Sequence, residues 1–288
     1  MRKIYILLIL LFTGCDIFDK EEPIPSFVYI DAADLIVASD GSQGPNTNEI
    51  IDAHVFANEN FVGTIELPGL AAILEEGPTR ITIGGGIRNN GIFSDRIIYP
   101  YYEFTTINLD LTPGVVTPIT EDSTITFQYP DVAEFLFEGF EGIGNIWEPS
   151  VDGGIAIVNS SEDVQEGSGT ASGKILLTDE FPLLQVYSQE PEWDLSPITP
   201  GRAVYLELDY KGNNPLEIGI RTRTPFDQQI FALGLNPTDD WTKIYVELTD
   251  EIGEGQTNDF QVYLQAQKFD TGDAIIYIDN LKLLYIDF

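Results

Sequence analysis

A single cysteine, a single histidine and a single methionine in 288 residues leave little material for the commonest catalysis and metal binding. With Cys15 alone, no disulfide can form within the chain, so stability must come from buried apolar surface. Zinc sites of the His/Cys kind cannot be assembled. A Ser-His-Asp arrangement would have to recruit His54, and no G-x-S-x-G pattern accompanies it. His54 reads instead as a strand-surface residue or a satisfied core residue. Gly84-Gly85-Gly86 lacks the following lysine and helix of a phosphate loop, and is expected at a strand end or bulge. Basic residues are scarce: 14 Lys and Arg against 47 Asp and Glu give a formal charge of −33. Such a surface repels phosphate backbones and excludes nucleic acid as a partner. The acid excess suits solubility and could equally recruit divalent cations. No apolar run approaches the roughly 20 residues of a membrane-crossing helix. Helical periodicity is nearly missing too: Leu67–Glu76 is the one candidate, interrupted by Pro68 and Gly69.

What is present begins with a targeting segment. Arg2 and Lys3 precede the apolar run Ile4–Phe12, and Thr13, Gly14 and Cys15 follow. Positive start, short apolar run and small residues are the layout of a secretory signal. Leu11-Phe12-Thr13-Gly14-Cys15 resembles the bacterial lipobox, which implies cleavage after Gly14 and acyl chains such as palmitate on Cys15. Phe12 stands where that motif usually has Leu. Several acyl chains anchor firmly, each buried methylene contributing about 0.8 kcal/mol. Residues 1–14 are therefore expected to be a signal peptide and 15–25 a lipidated cysteine with an acidic, proline-broken tether. Lys20-Glu21-Glu22 resembles the acidic export signal of Bacteroidota surface lipoproteins; the alternative is a solvated linker. The expected location is the outer membrane, lipid-anchored and facing outward.

The remainder alternates with period 2. Val204, Leu206 and Leu208 interleave with Tyr205, Glu207 and Asp209. Leu216, Ile218 and Ile220 interleave with Glu217, Gly219 and Arg221. The same holds for Ile244–Leu248 and Phe260–Gln265. Each run predicts a strand with one face for a core and one for water. Turn signals separate them, among them Asn236-Pro237-Thr238-Asp239-Asp240, Gly253-Glu254-Gly255 and Asp270-Thr271-Gly272-Asp273. In the first half, Ala53–Ala57 and Phe61–Leu67 flank Asn58-Glu59-Asn60 as a hairpin, and Ile97–Leu111 reads as one long extended stretch. The fold class is all-β, with one domain over 26–130 and a second over 133–288.

Two resemblances refine this. Val62–Pro68, Glu76-Gly77 and Arg80–Ile83 are similar to small Ig-like or PEGA-like β-sandwich modules. Phe140-Glu141-Gly142, Trp147, Trp241–Thr249 and Ile276–Leu283 together resemble the galactose-binding-like jelly roll of many carbohydrate-binding modules. Fold likeness is not function, but it implies where function would sit. Glu141 and Asp279 match positions that hold a structural calcium, the alternative being carboxylates hydrogen-bonded at a strand edge. Trp147 and Trp193 fall in loops and would be sugar platforms or caps on the sandwich end. Trp241 matches a packing tryptophan. Arg221, Gln261, Tyr263 and Gln265 share the polar phase of two strands, and would line a sugar-binding sheet or a plain solvated face.

The leading expectation is a non-catalytic glycan-binding lipoprotein. The alternatives are an envelope component that contacts a protein partner, and a polysaccharide hydrolase or lyase using two facing acids. The lipid reading has a direct check. Cys15→Ala is expected to move the protein from the membrane fraction to the soluble fraction, and mass spectrometry of the wild type to find acyl chains on Cys15. Unchanged fractionation with no lipid would end it.

Overall fold

A computed structural model describes residues 22–150, 155–189, 193, 195, 198, 201–255 and 259–286. The expected signal peptide, Cys15 and most of the expected tether lie outside the described residues. No described helix is long and apolar enough to cross a membrane.

Regular structure among the described residues is nearly all strand. The first half of the chain contains β1 (Ser26–Ile30), β2 (Ala32–Ile36), β3 (Asp52–Ala57), β4 (Asn60–Glu66), β5 (Gly69–Ile73) and β6 (Gly77–Arg88). Then come β7 (Arg96–Ile98), β8 (Thr105–Leu111), β9 (Val116–Pro118) and β10 (Thr124–Gln128). The second half contains β11 (Ala133–Glu138), β12 (Trp147–Pro149), β13 (Val158–Ser160), β14 (Ser172–Leu177), β15 (Leu183–Ser188) and β16 (Tyr205–Gly212). It continues through β17 (Leu216–Thr222), β18 (Gln228–Leu235), β19 (Thr238–Glu247), the short helix α1 (Thr249–Gly255), β20 (Phe260–Gln267) and β21 (Ala274–Ile286).

The second half is a sandwich of two antiparallel sheets. One has the order β13-β14-β21-β16-β19, with β11 also pairing with β21; the other has β12-β15-β20-β17-β18. Alternation places Leu206, Leu208, Val246, Ile276, Ile278 and Leu283 of the first sheet against Leu184, Val186, Ile218, Ile220, Val262 and Leu264 of the second. The first half joins β4-β3-β6-β7, with β8 on β6, to the smaller groups β5-β1-β9 and β10-β2 around a separate core.

That core does not stop at residue 130. It takes in Tyr205, Tyr245 and Leu284 from the outer face of the β16-β19-β21 sheet. The sequence pattern assigned this face to water, and the structure corrects it. Tyr99, Tyr101, Tyr102 and Tyr129 cover it, with Tyr99 meeting Tyr205 edge-on at 5.1 Å and Tyr245 at 4.9 Å between ring centroids. Glu207 is 0% exposed. Its carboxylate accepts hydrogen bonds from Tyr99 Oη (2.9 Å) and Tyr129 Oη (2.9 and 3.1 Å), and pairs with Lys243 Nζ at 3.3 Å. Lys282, also fully buried, donates from Nζ to the Pro45 carbonyl at 2.5 Å. Thr47 Oγ1 and Asn280 Nδ2 both donate to Asp209 Oδ2 at 2.7 Å. Asp279 and Asn280 crowd onto this face because the β16–β21 register shifts between Glu207 and Asp209, with Asn280 at φ 51°.

Other expectations fare unevenly. The β3–β4 hairpin turns through Asn58 and Glu59, both at positive φ, a two-residue connection suited to strand twist. Leu67–Glu76 is not helical: β5 forms there and pairs with β1 from Ser26↔Ile73 to Ile30↔Gly69. Ile97–Leu111 is broken between β7 and β8 by the buried residues Tyr99, Tyr101 and Tyr102. Gly84–Gly86 lies within β6 rather than at its end. Any Cβ on Gly86 would stand 2.7 Å from Asp52 Cβ, so close packing of β3 on β6 requires the glycine. Gly253-Glu254-Gly255 ends α1 instead of forming an isolated turn.

Glu207 offers a stability test. Glu207→Ala would leave Lys243 and Lys282 facing each other without that carboxylate, and should cost about 3–5 kcal/mol in urea unfolding. Glu217→Ala, on the exposed outer face of the other sheet, should stay within about 0.5 kcal/mol. Equal effects would refute the role assigned to the buried carboxylate.

Candidate functional site

The β12-β15-β20-β17-β18 sheet turns its other face outward, and strand register sets what that face carries. Tyr187, Tyr263, Gly219 and Phe231 are consecutive cross-strand partners from β15 to β18. A row of Gln185, Gln265 and Glu217 lies on one side, and Gln261, Arg221 and Gln229 lie on the other. Gly219 keeps the middle of the aromatic row flat. A Cβ there would fall 2.6 Å from the Tyr263 ring and 2.2 Å from the Ile230 carbonyl.

Hydrogen bonds tie the rows together. Gln185 Nε2 donates to Gln265 Oε1 (3.0 Å), and Gln265 Nε2 to Glu217 Oε2 (3.3 Å). Gln229 Nε2 reaches Tyr187 Oη at 3.0 Å. The Arg221 guanidinium lies 4.3 Å from the Tyr187 ring centroid and donates twice to Asp227, at 2.6 and 2.8 Å. That pairing holds the Asp227 carboxyl below its usual range. A cleft of about 480 Å³ opens beside this lattice, lined by Glu148, Ser150, Gln185, Tyr187, Arg221 and Arg223 among others.

The structure therefore brings Arg221, Gln261, Tyr263 and Gln265 onto one face, though not with equal access. Tyr263 is 3% exposed, its hydroxyl pushed up to about 12 by burial. Gln261 is also buried and donates from Nε2 to the Ser188 carbonyl at 2.7 Å. Arg221, Gln265, Gln185, Tyr187 and Phe231 remain to meet a ligand. Gln185 and Tyr187 escaped the sequence reading, although Leu184 and Val186 alternate with them in the same period.

Trp147 and Trp193 are corrections. They are 4% and 2% exposed, 6.1 Å apart between ring centroids, and part of the sandwich core. Trp147 starts β12 on the core-facing phase, opposite Ser188 of β15, so neither ring can serve as a surface platform. Trp241 is half-buried and donates from Nε1 to Asp163 Oδ1 at 2.8 Å. His54 is half-buried in β3 with Nδ1 3.0 Å from Thr64 Oγ1, and burial lowers its pKa.

The calcium pair is electrostatically coupled but unevenly equipped. Glu141 Oε1 accepts from the backbone N–H groups of Thr170 (2.7 Å) and Ala171 (2.9 Å), and Oε2 accepts from Thr170 Oγ1 (2.7 Å). Asp279 Oδ1 accepts from Asn280 N at 2.8 Å, whereas Oδ2 is buried without a partner. Among the described residues, no group of three or more His, Cys, Asp or Glu could hold a metal ion. The free Asp279 oxygen suits a cation, but Glu141 is already held by three donors. The pair does not fit the oxygen-rich cage that calcium requires. A proton meets the same need. Burial, with Asp209 and Glu141 nearby, pushes the Asp279 carboxyl up to about 8.

No family model matches the chain, and no curated protein matches it. Solved structures similar to it include a family 29 carbohydrate-binding module at 14% identity, covering 53% of this chain and 88% of that one, with a TM-score of 0.34. Mutant forms of such modules complexed with cellulohexaose and with mannohexaose match at 13% and 12% identity. They cover 54% and 53% of this chain and 93% and 92% of theirs, each with a TM-score of 0.34.

Asp279 makes a pH prediction whose sign is fixed. Its carboxyl titrates near 8 when folded and near about 3.9 when unfolded. Between those values the folded chain holds the extra proton, so this residue's contribution to stability falls as pH rises. Lys282, lowered to about 7 by burial and by Lys243, acts oppositely above neutrality. Urea unfolding from about pH 5 to about pH 8 should show Asp279→Asn gaining on the wild type, by at most about 1.4 kcal/mol per pH unit. Parallel curves would remove Asp279 from the account.

Proposed function

We propose that this protein binds an uncharged glycan chain across the outer face of the β12-β15-β20-β17-β18 sheet, without catalysing its cleavage, while tethered to a membrane by lipid on Cys15. The accessible rings of Tyr187 and Phe231, aligned across the buried Tyr263 and Gly219 and flanked by amide and guanidinium groups, are the observation that carries this reading. Sugar rings present C–H faces that pack on aromatic surfaces, and hydroxyls that need donors and acceptors in the same plane. Gln185, Gln265 and Arg221 supply both kinds, and hydrogen bonds from Gln185 to Gln265, from Gln265 to Glu217 and from Arg221 to Asp227 hold them in place before a ligand arrives.

Charge favours a neutral chain. Arg221 and Arg223 face Asp227 and Asp259 in ion pairs, and Glu148 and Glu217 add further negative charge. An anionic polymer would also meet the repulsion of a −33 chain. The tether supports a role at a surface, where a bound polysaccharide stays close to the cell.

Affinity electrophoresis through gels containing neutral glucans, mannans, xylans and galactans tests the proposal. The wild type should be retarded by at least one, with Tyr187→Ala and Arg221→Ala weakening retention about tenfold or more while melting normally. No retention across the panel, or retention indifferent to both substitutions, would refute it.

A further inference from the structure

A second cleft lies on the opposite sheet, where the two halves meet. It has a volume of about 350 Å³ and walls from three separate segments: Asn46–Glu49 of the first half, Gln165 and Glu166 of the loop before β14, and Trp241 on β19. Its floor is formed by Asp209 and Lys243, both more than nine-tenths buried. We infer that this junction cleft is a separate binding site for a single neutral sugar ring, with Trp241 as its apolar wall and the amides of Asn48 and Gln165 as its polar one.

Each wall is fixed by bonds made elsewhere. The first segment is held by Lys282 Nζ on the Pro45 carbonyl, by Thr47 Oγ1 on Asp209 Oδ2, and by Glu49 N donating to Tyr245 Oη at 2.9 Å. The loop wall is pinned by Asn280 Nδ2 donating to Ser168 Oγ at 2.5 Å. Trp241 is locked through Asp163, which also accepts from Lys211 Nζ at 2.7 Å. A site prepared in this way does not have to be ordered again on binding.

The lining selects the ligand class. One aromatic ring among amides, a hydroxyl and carboxylates suits a molecule with one apolar face and many hydroxyls, and the volume is that of a small ligand pocket. Glu49, Glu166 and Asp209 repel an anion. The Lys243 ammonium on the floor opposes a buried amine. No three acids gather on a metal position among the described residues. The cleft stands apart from the sheet face assigned to a polymer, and its case does not rest on that assignment.

Tryptophan fluorescence gives a readout specific to this place. Trp147 and Trp193 are buried in the sandwich core, so acrylamide quenches chiefly Trp241. The probes are methyl glucoside, methyl galactoside, methyl mannoside, methyl xyloside and N-acetylglucosamine, added to the chain from residue 16 onward. At least one should shield Trp241 from quenching. Asn48→Ala and Gln165→Ala should each weaken that protection roughly three- to tenfold, as expected for one lost hydrogen bond, and Tyr187→Ala should leave it unchanged. Retention in polysaccharide gels should show the reverse pattern, intact in Asn48→Ala. Protection by none of the five sugars, or protection lost in Tyr187→Ala and kept in Asn48→Ala and Gln165→Ala, would overturn the inference.

Discussion

One carboxylate, fully removed from water, organises the join between the halves. Glu207 sits on β16 where two tyrosine hydroxyls from the first half and an ammonium from β19 converge on its two oxygens. Burying a charge is costly unless it is paired and hydrogen-bonded, and a buried ion pair is weak evidence for net stability. Its directional bonds do something that apolar packing cannot: they accept one placement of the tyrosine layer. Lys282 and Asp209 extend the arrangement to Pro45 and Thr47. The position of the 45–49 segment therefore follows from the same network.

The two sheets of the sandwich began from the same alternating pattern and met different fates. On one, Tyr205, Glu207 and Asp209 became an interior; on the other, Glu217, Gly219 and Arg221 stayed outside. Period 2 defines that a strand has two faces, but says nothing of what lies on either. The strands of the second half were legible for that reason, and the covered face was not. A fainter signal did exist. Tyrosines 205 and 245 recur on the polar phase, and two lysines of a chain with only 14 basic residues lie beside them on β19 and β21. Such a mixture fits a half-polar interface better than open water.

Local chemistry was readable where few residues decide the outcome. Asn58 and Glu59 close the β3–β4 hairpin by themselves, whereas β5 exists only because β1, some forty residues earlier, pairs with it. Loop tryptophans posed the opposite problem. An expected loop position suggested exposure for Trp147, yet it opens a strand, where neighbouring residues point to opposite faces, and the indole took the inner one. On the outer face, Arg221 and Gln265 could be found from their shared phase. Tyr187 could not be ranked above other tyrosines until the register set it in line with Tyr263 and Gly219.

The β21 strand has a consequence in time. It lies inside its sheet, between β16 on one side and β14 and β11 on the other, and follows all three in the chain. Ile286 pairs with Ala133, more than half the chain's length away. Contacts so distant make for slow closure, because the loop entropy is lost before the pairing returns anything. Until β21 arrives, β16 has an open edge and the tyrosine layer has no complete surface to dock on. The nascent polypeptide cannot close this sheet until β21 emerges, and that one strand completes both halves at once.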